Sequence, residues 1–521
     1  MTSIKNIKNL IFDIYDLYDR KHLPSFFYLL VLLIAASVLE IIGISLIPIF
    51  ISLIIDPTLV FKNLSFLFKF VDFNQFESLD KIHLILYFSL FIVIFFILKN
   101  LFLVFVLYMQ GSFHRTIKKT LSYKIYSNYF SAEYSFFLSR NSSIFVRTIL
   151  VDVGNTSLYM LNIVNLIRES LILIAVVTLL LTINFSIGLG LFIFFSIFTY
   201  LFFRFTQKQI FNRAKKLQRL SSHLYKIITE TLGSIKQIIL SNAGDSQLRE
   251  FKKYITENEN LSIKNYFVQL LPKFFLEILV VSALVLIVFV FVLSGKELLE
   301  LIPYLTLITI SAIRLLPAFS SINNALVTLK TTLPSLNHCI KENKFLKVNA
   351  KNKNKKQIKF NYKIELKNVS FSYPKTTKKI LNNFSIKIKK GDKIGIIGES
   401  GTGKTTLLNI ILGLMQPTRG DFLVDNQVLN FNKYFWGDTV GYVPQEIFLL
   451  DNTIKKNITF GLEDDKIDKE LMEKVCKTAQ IYKHIQSLPK KFNSIVGEHG
   501  HNLSVGQKQR LGIARILYRK P

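Results

Sequence analysis

The chain has 521 residues, half of them hydrophobic, with mean hydropathy +0.36 and a formal net charge of +30. That length leaves room for two or three domains of roughly 150 residues each, and that hydropathy excludes a protein that is water-soluble throughout. So basic a chain suggests nucleic acid or anionic lipid as a partner. It has neither a recognition helix nor zinc-ligand spacing, so nucleic acid is set aside and the charge is read as membrane orientation plus phosphate binding.

The N-terminal stretch to residue 23 is polar and carries Lys5, Lys8, Arg20 and Lys21. The first apolar run is too long for a signal-peptide core and has no small-residue cleavage site after it, so it is expected to remain as a span. Six apolar segments, at 26–55, 82–108, 158–183, 185–203, 274–293 and 299–319, reach the roughly 20 residues a membrane helix needs. The third and fourth are joined by a short turn at Asn184, the fifth and sixth by residues 294–298. The loop after the first span is balanced or slightly acidic (Asp56, Asp72, Glu77, Asp80). The stretches after the second and fourth are basic, with Arg115, Lys118, Lys119 and Lys124 in one and Lys208, Arg213, Lys215 and Lys216 in the other. The excess of positive loops places the N-terminus and both basic stretches on the cytoplasmic side.

Leu217, Leu220, Leu224 and Ile227 recur at helical spacing. The spans are therefore expected to continue as helices into the cytoplasm; separate helices lying on the membrane surface are the alternative. Two charged residues stand inside spans. Glu40 is central in the first, and Arg314, with Pro317, lies near the end of the sixth. A carboxylate at that depth costs about 2.5–3.5 kcal/mol on insertion scales and belongs in a bundle interior or a water-filled cavity. The two residues are candidates to pair with each other or to contact a substrate. The plainer alternatives are a packing role for Glu40 and snorkelling to the interface for Arg314.

Cys339, just after the last span, and Cys476 are too few for a disulfide framework and are read as reduced cytoplasmic thiols. The run KNKNKK at 351–356 reads as a solvated linker. Beyond it, short β-like runs at 364–371 and 386–388 alternate with helical segments, which signals an α/β domain. GESGTGKT at 398–405 follows an apolar run at 393–397, expected as a strand, and precedes a helical run at 406–414. This is the strand–loop–helix setting of a phosphate-binding loop. Glycines turn backbone N–H groups onto phosphate oxygens, the helix start adds a positive dipole end, Lys404 reaches the β- and γ-phosphates, and the Thr405 hydroxyl ligates Mg²⁺. A glycine-rich turn matching by chance is the plain alternative.

LSVGQ at 503–507, running on into KQRLGIARIL, resembles the signature segment of ABC ATPases. GESGTGKT is similar to their P-loop and GYVPQ at 441–445 to their Q-loop, with Gln445 in the glutamine position. Tyr373 in FSYP stands where the family has an adenine-stacking aromatic, and VGEHG at 496–500 resembles the exporter segment before the signature. The resemblance covers the whole chain and is most specific over 361–521. It implies a six-helix ABC exporter membrane domain at 1–340, a linker at 341–360, and an α/β ABC ATPase domain at 361–521.

The cofactors implied are ATP and Mg²⁺. The nucleotide-binding residues would be Tyr373, Gly398, Glu399, Ser400, Gly401, Thr402, Gly403, Lys404, Thr405 and Thr406, with Thr405 and Gln445 at the metal. Ser504, Gly506 and Gln507 would cap the nucleotide of a second half-transporter subunit, in a homodimer or, alternatively, a heterodimer. For LSVGQ the plain alternative is a serine-capped helix start, for Tyr373 an edge-strand tyrosine, for Gln445 a solvated glutamine.

The chain stops at Pro521, where the family's strand with the Mg²⁺-binding Asp and catalytic Glu would begin, and His499 and His501 are not at the later switch position. The ATPase domain is therefore expected to be a fragment with little or no hydrolysis of its own. SVLEIIGISLIPIF and AIRLLPAFSSIN resemble segments of bacterial flippases for lipid-linked oligosaccharides. That likeness implies ATP-driven movement of an amphipathic or lipid-linked substrate across the inner membrane. A lipid, peptide or drug exporter is one alternative, and a nucleotide-sensing regulatory subunit without transport is another.

Overall fold

The computed structural model describes the backbone at residues 13, 16–17, 22–55, 81–183, 185–293, 298–348, 356–373, 376, 378–430 and 434–521. The acidic loop at 56–80, the turn at Asn184, residues 294–297 and nearly all of KNKNKK lie outside the described residues. The chain forms two compact units, Met1–Phe130 with Arg140–Val348, and Ser131–Ser139 with Asn349–Pro521.

The first unit is helical: α1 (Leu23–Ile55), α2 (Lys81–Phe130), then, after short α3 (Tyr134–Leu138) in the other unit, α4 (Ser142–Arg147), α5 (Val153–Ile183), α6 (Phe185–Gly233), α7 (Ile235–Leu240), α8 (Gly244–Leu293) and α9 (Leu298–Val348). At 1.5 Å per residue, the 49–51 residues of α2, α6, α8 and α9 make rods of about 75 Å. A hydrocarbon core is about 30 Å thick. The spans thus run on as continuous helices, and separate surface helices are ruled out for these four. α9 continues helically past residue 340 to Val348.

Among the described residues three helical stretches are long and apolar enough to cross a membrane: Leu23–Ile54, Ile82–Phe130 and Ser142–Leu181. The described helices α6, α8 and α9 carry the other expected spans, with many of their side chains outside the described set. In α2, Leu86, Leu90, Ile94, Ile97 and Leu101 are exposed, as expected where lipid is the solvent. The interior of the bundle is closed by Ile44, Ile172, Val176, Leu180, Val280, Leu315 and Phe319.

Farther along the helices the packing becomes polar. A single π-turn, Thr148–Asp152, joins α4 to α5, and its Asp152 is fully buried. Arg147 pairs with Asp152 at 2.9 Å and donates to the Gln218 carbonyl and Ser222 Oγ of α6. His338 of α9 meets Thr148 Oγ1 at 3.0 Å and stands 3.9 Å from the Asp152 carboxylate. One turn on, Arg140 grips both Glu342 oxygens at 2.7 and 2.8 Å. Three helices that are remote in sequence thus meet at one acid.

The second unit has two cores. Antiparallel strands in the order β3–β2–β4–β5 (Leu381–Lys389, Lys363–Phe371, Arg419–Val424, Gln427–Val428) form one sheet, and β1 (Lys356–Gln357) pairs in parallel with β6 (Tyr434–Phe435). Register sets Leu366 opposite both Ile386 and Phe422. With α10 (Lys404–Ile411) these strands bury Val369, Phe371, Leu407, Ile410, Phe422 and Trp436. The second core is helical, from α11 (Ile454–Ile458), α12 (Lys469–Thr478), α13 (Tyr482–Ser487) and α14 (Val505–Tyr518), around Ile458, Cys476, Ile485, Leu511 and Ala514.

The strand expected at 393–397 is not formed. The segment has no ladder partner among the described residues, and Ile394, Ile396 and Ile397 are exposed. An apolar run becomes a strand only when a neighbour takes its N–H and C=O groups, and no described strand lies beside this one.

Asp152→Asn leaves the Arg147 guanidinium buried without its counter-charge, a change that costs about 3–5 kcal/mol in buried pairs. With Cys476 replaced by Ser, the fully buried Cys339 thiol reports on this unit. Its reaction with a thiol dye on heating should begin at a distinctly lower temperature in Asp152→Asn; an unchanged transition would show that the pair does not hold the unit together.

Burial pushes the His338 pKa below the ordinary histidine value, against the pull of Asp152, with Arg147 adding to the lowering. As pH falls the unfolded chain therefore takes up the proton first. The stabilisation is complete above about pH 6.5 and is lost progressively as pH falls from there through the lower folded-state pKa. The same melt should move down on acidification, and less so in His338→Gln.

Candidate functional site

The loop at 398–403 is built by its glycines. Gly401 and Gly403 hold φ of +87° and +97°, a region that L side chains rarely enter. A Cβ on Gly403 would also sit 2.9 Å from Ile380 Cγ2 and 3.2 Å from the Ile380 carbonyl. Gly403 is the N-cap of α10 and, having no side chain, leaves the first N–H groups of the helix uncapped. Thr402 Oγ1 donates to the Glu399 carbonyl at 2.9 Å, and Lys404 Nζ donates to the carbonyls of Gly398 and Glu399, both at 2.6 Å. Ser400 and Thr405 are exposed.

The result is an open concave backbone with an ammonium folded over it, a cradle that fits a phosphate chain. Tyr373 stands beside it, with its hydroxyl 3.1 Å from Thr406 Oγ1 and its ring edge-on to Phe371. The Thr405 hydroxyl and the Gln445 amide, both neutral, are exposed. Among the described residues no group of three His, Cys, Asp or Glu is placed to hold an ion.

Ser504 begins α14 with a reciprocal cap: its Oγ accepts from Gln507 N at 3.3 Å, and its own N–H donates to Gln507 Oε1 at 2.8 Å. Gln507 Nε2 also meets His484 Nδ1 at 3.4 Å. The serine cap is thus real, and Ser504, Val505 and Gly506 remain exposed at the helix start. The structure does not bring this end together with the cradle by any hydrogen bond among the described residues. The His499 side chain lies outside the described residues.

Gln445 lies between the two cores, since Val440 packs on the strand core and Ile447 on the helical one. Sequence reading missed what fixes it there. Arg515 of α14 donates to the Asn457 and Phe448 carbonyls at 2.8 and 2.9 Å and to Asn457 Oδ1 at 3.0 Å, while Asn457 accepts from Leu450 N. Ile447 lies against Gly512, where a Cβ would sit 2.7 Å from its Cδ1. The stretch after Gln445 and the helix behind Ser504 are therefore clamped as one piece. Only the glycine inside a helical pattern hinted at this close approach.

In the first unit, Glu40 and Arg314 do pair, at 2.6 Å, and Lys99 of α2 joins them, 3.2 Å from the other Glu40 oxygen. Glu40 and Lys99 are 3% and 8% exposed. Beside them Arg168 pairs with Glu169 at 2.6 Å and donates to Gln110 Oε1; Gln110 in turn donates to Asn165. Glu40, Lys99, Arg168, Glu169 and Arg314 line a cavity of about 430 Å³. Lys99, Arg168 and Glu169 were not singled out from the sequence, although each is a charge inside an apolar run, the signal that had marked Glu40.

Two family profiles match the chain: one described as ABC transporter transmembrane region over residues 30–317, and one described as ABC transporter over 381–521. An uncharacterized ABC transporter ATP-binding protein of Bacillus subtilis is 42% identical over 160 residues, 30% of this chain and 28% of that protein. Human ATP-binding cassette sub-family B member 5 is 41% identical over 160 residues, 30% of this chain and 13% of its own length. The multidrug resistance-like ATP-binding protein MdlB of Buchnera aphidicola is 38% identical over 169 residues, 32% of this chain and 28% of its own. The chain thus aligns with under a third of each of these relatives. A solved bacterial Atm1-family ABC exporter with ATP bound superposes with a TM-score of 0.75 over 96% of this chain and 84% of its own at 19% identity, a likeness of fold.

Lys404→Ala removes an ammonium whose charge-assisted hydrogen bonds are worth about 1.5–3 kcal/mol each. Titration with a fluorescent ATP analogue should show binding weakened at least about tenfold, and unchanged affinity would overturn the phosphate-cradle assignment. Gly403→Ala should weaken binding as well, because a Cβ there meets the Ile380 backbone in a disfavoured φ.

Proposed function

This chain belongs to the ABC transporter transmembrane-region family, and on that premise we propose that it uses ATP to export or flip an amphipathic substrate, a lipid-linked oligosaccharide or another glycolipid, across the cytoplasmic membrane. The observation that carries it is a charged cavity enclosed by helices with apolar outer faces, on a chain that also carries a phosphate cradle. Ionisable residues inside membrane segments face a bundle interior or a water-filled cavity and commonly mark a substrate or ion path.

In this proposal the backbone of Gly398, Glu399, Ser400, Gly401, Thr402 and Gly403, together with Lys404, Thr405 and Thr406, holds the phosphates, and Tyr373 stacks on the base. Thr405 and Gln445 meet the Mg²⁺ that accompanies the phosphates and supplies charge neutralisation there. Ser504, Gly506 and Gln507 face the nucleotide of a second copy of the chain. The exposure of Ser504 and Gly506 at the start of a 14-residue helix supports that role. The N-terminus and the ATP-binding domain lie in the cytoplasm, following the basic stretches. A drug exporter of the same architecture is the second reading, favoured by the multidrug names among the relatives.

In vesicles carrying the chain extended through the strand expected to supply the Mg²⁺-binding Asp and the catalytic Glu, labelled glycolipid should become accessible from the opposite leaflet on adding ATP and Mg²⁺. Stimulation of ATP hydrolysis by hydrophobic drugs but not by glycolipid would favour the drug reading. No response to either, in protein shown to bind nucleotide, would overturn transport.

Coupling to the partner is proposed at the start of α8, where exposed Ile239, Leu240 and Leu248 flank the turn at 241–243. With Cys339 and Cys476 replaced, cysteines at Leu248 and Glu446 should crosslink between chains. Crosslinks confined to single chains would contradict a partner contact.

A further inference from the structure

The cavity around Glu40 carries more positive than negative charge. Its charged lining is Lys99, Arg168 and Arg314 against Glu40 and Glu169. Arg168 and Glu169 satisfy each other, so the single Glu40 carboxylate faces two cations. The surplus shows in the geometry: Arg314 Nε is buried and has no acceptor among the described residues. The Arg314 side chain as a whole is 35% exposed, so the cost lies in the unmet Nε–H, and an anion with several acceptor oxygens meets it through charge-assisted hydrogen bonds.

The depth of the site is common to four helices. Glu40, Lys99, Glu169 and Arg314 lie about 21–27 Å along their helices from the ends at Ile55, Lys81, Ile183 and Leu298, at 1.5 Å per residue. Glu40 is also near the middle of the 33-residue α1, so the four charges form one layer inside the spans. About 430 Å³ admits a headgroup but not a whole amphiphile, and the lining residues Leu107 and Ile313 are 52% and 65% exposed, offering an apolar edge where a tail can remain outside.

We propose that this cavity is a binding site for the oxyanion headgroup, phosphate or carboxylate, of an amphiphile, with Arg314 and Lys99 as its ligands. Its role as a substrate site rests on the transporter reading; the site itself is read by binding alone.

The test uses the full chain in nanodiscs of zwitterionic lipid without nucleotide. Three fluorescent probes share one alkyl tail and carry phosphate, carboxylate or phosphocholine heads. Polarisation should show saturable binding of the phosphate and carboxylate probes, at least about tenfold tighter than the phosphocholine probe. Arg314→Gln should weaken anionic binding about tenfold, and Lys99→Gln carries the same expectation should Arg314→Gln fail to fold. Glu40→Gln should move it the other way, several-fold tighter, a change of sign that a packing role does not produce. Equal binding of the three probes, or indifference to Arg314→Gln and Lys99→Gln in protein with the parent Cys339 melt, overturns the site. Displacement by equimolar inorganic phosphate overturns the amphiphile and leaves a small-anion site. Charge-selective binding in these nucleotide-free discs, with no ATP-driven glycolipid movement in the vesicle assay of the extended chain, keeps the site and removes transport, while movement without charge selectivity does the reverse.

Discussion

One carboxylate ties together three helices that are far apart in the chain. Glu40 of α1 accepts Lys99 of α2 and Arg314 of α9 on its two oxygens, in a layer where water is scarce. Buried ion pairs are weak sources of net stability, because desolvation offsets most of the attraction. What they do firmly is fix register, since sliding any of the three helices by one turn would strand a charge in an apolar setting. The apolar closure by Ile44, Ile172, Val176 and Leu315 can tolerate small adjustments; the charges cannot. The cavity, its surplus of positive charge and its depth all follow from where that carboxylate sits.

The same logic recurs beyond the spans with different chemistry. Around Asp152 the helices are held by a buried acid, an arginine and a histidine rather than by apolar packing alone. The π-turn at Thr148–Asp152 locally offsets the helix, as such turns do, and carries Asp152 at its end. Buried polar hubs of this kind specify one arrangement, because every alternative leaves a charge unsatisfied. Burial also pushes the Cys339 thiol up to about 12, so this cysteine is a packing residue and an inert one.

In the second unit the controlling constraint is backbone conformation. Gly401 and Gly403 take left-handed φ, opening the cradle and leaving the helix start uncapped. The Gln445 stretch depends instead on contacts made from a distance: Arg515 and Gly512 of α14 hold the segment that follows it. One helix thus presents Ser504 at its start and anchors the 447–450 stretch along its length, which gives a physical route by which events at one could be felt at the other.

Local rules settled much of this protein in advance. Apolar runs of spanning length, basic stretches at helical period and the glycine spacing of 398–405 each follow from a few neighbouring residues, and the long helices and the cradle are where those residues put them. Glu40 and Arg314 stood out because charge in an apolar run is costly wherever it occurs. What required tertiary structure was every property that depends on a partner remote in the chain. Lys99 completes a triad only because α1, α2 and α9 converge. Asp152 is a hub only because α6 and α9 arrive beside it. The apolar run at 393–397 carries a strand's composition and is not one here, because a strand is a relation between two segments, and composition records only one of them.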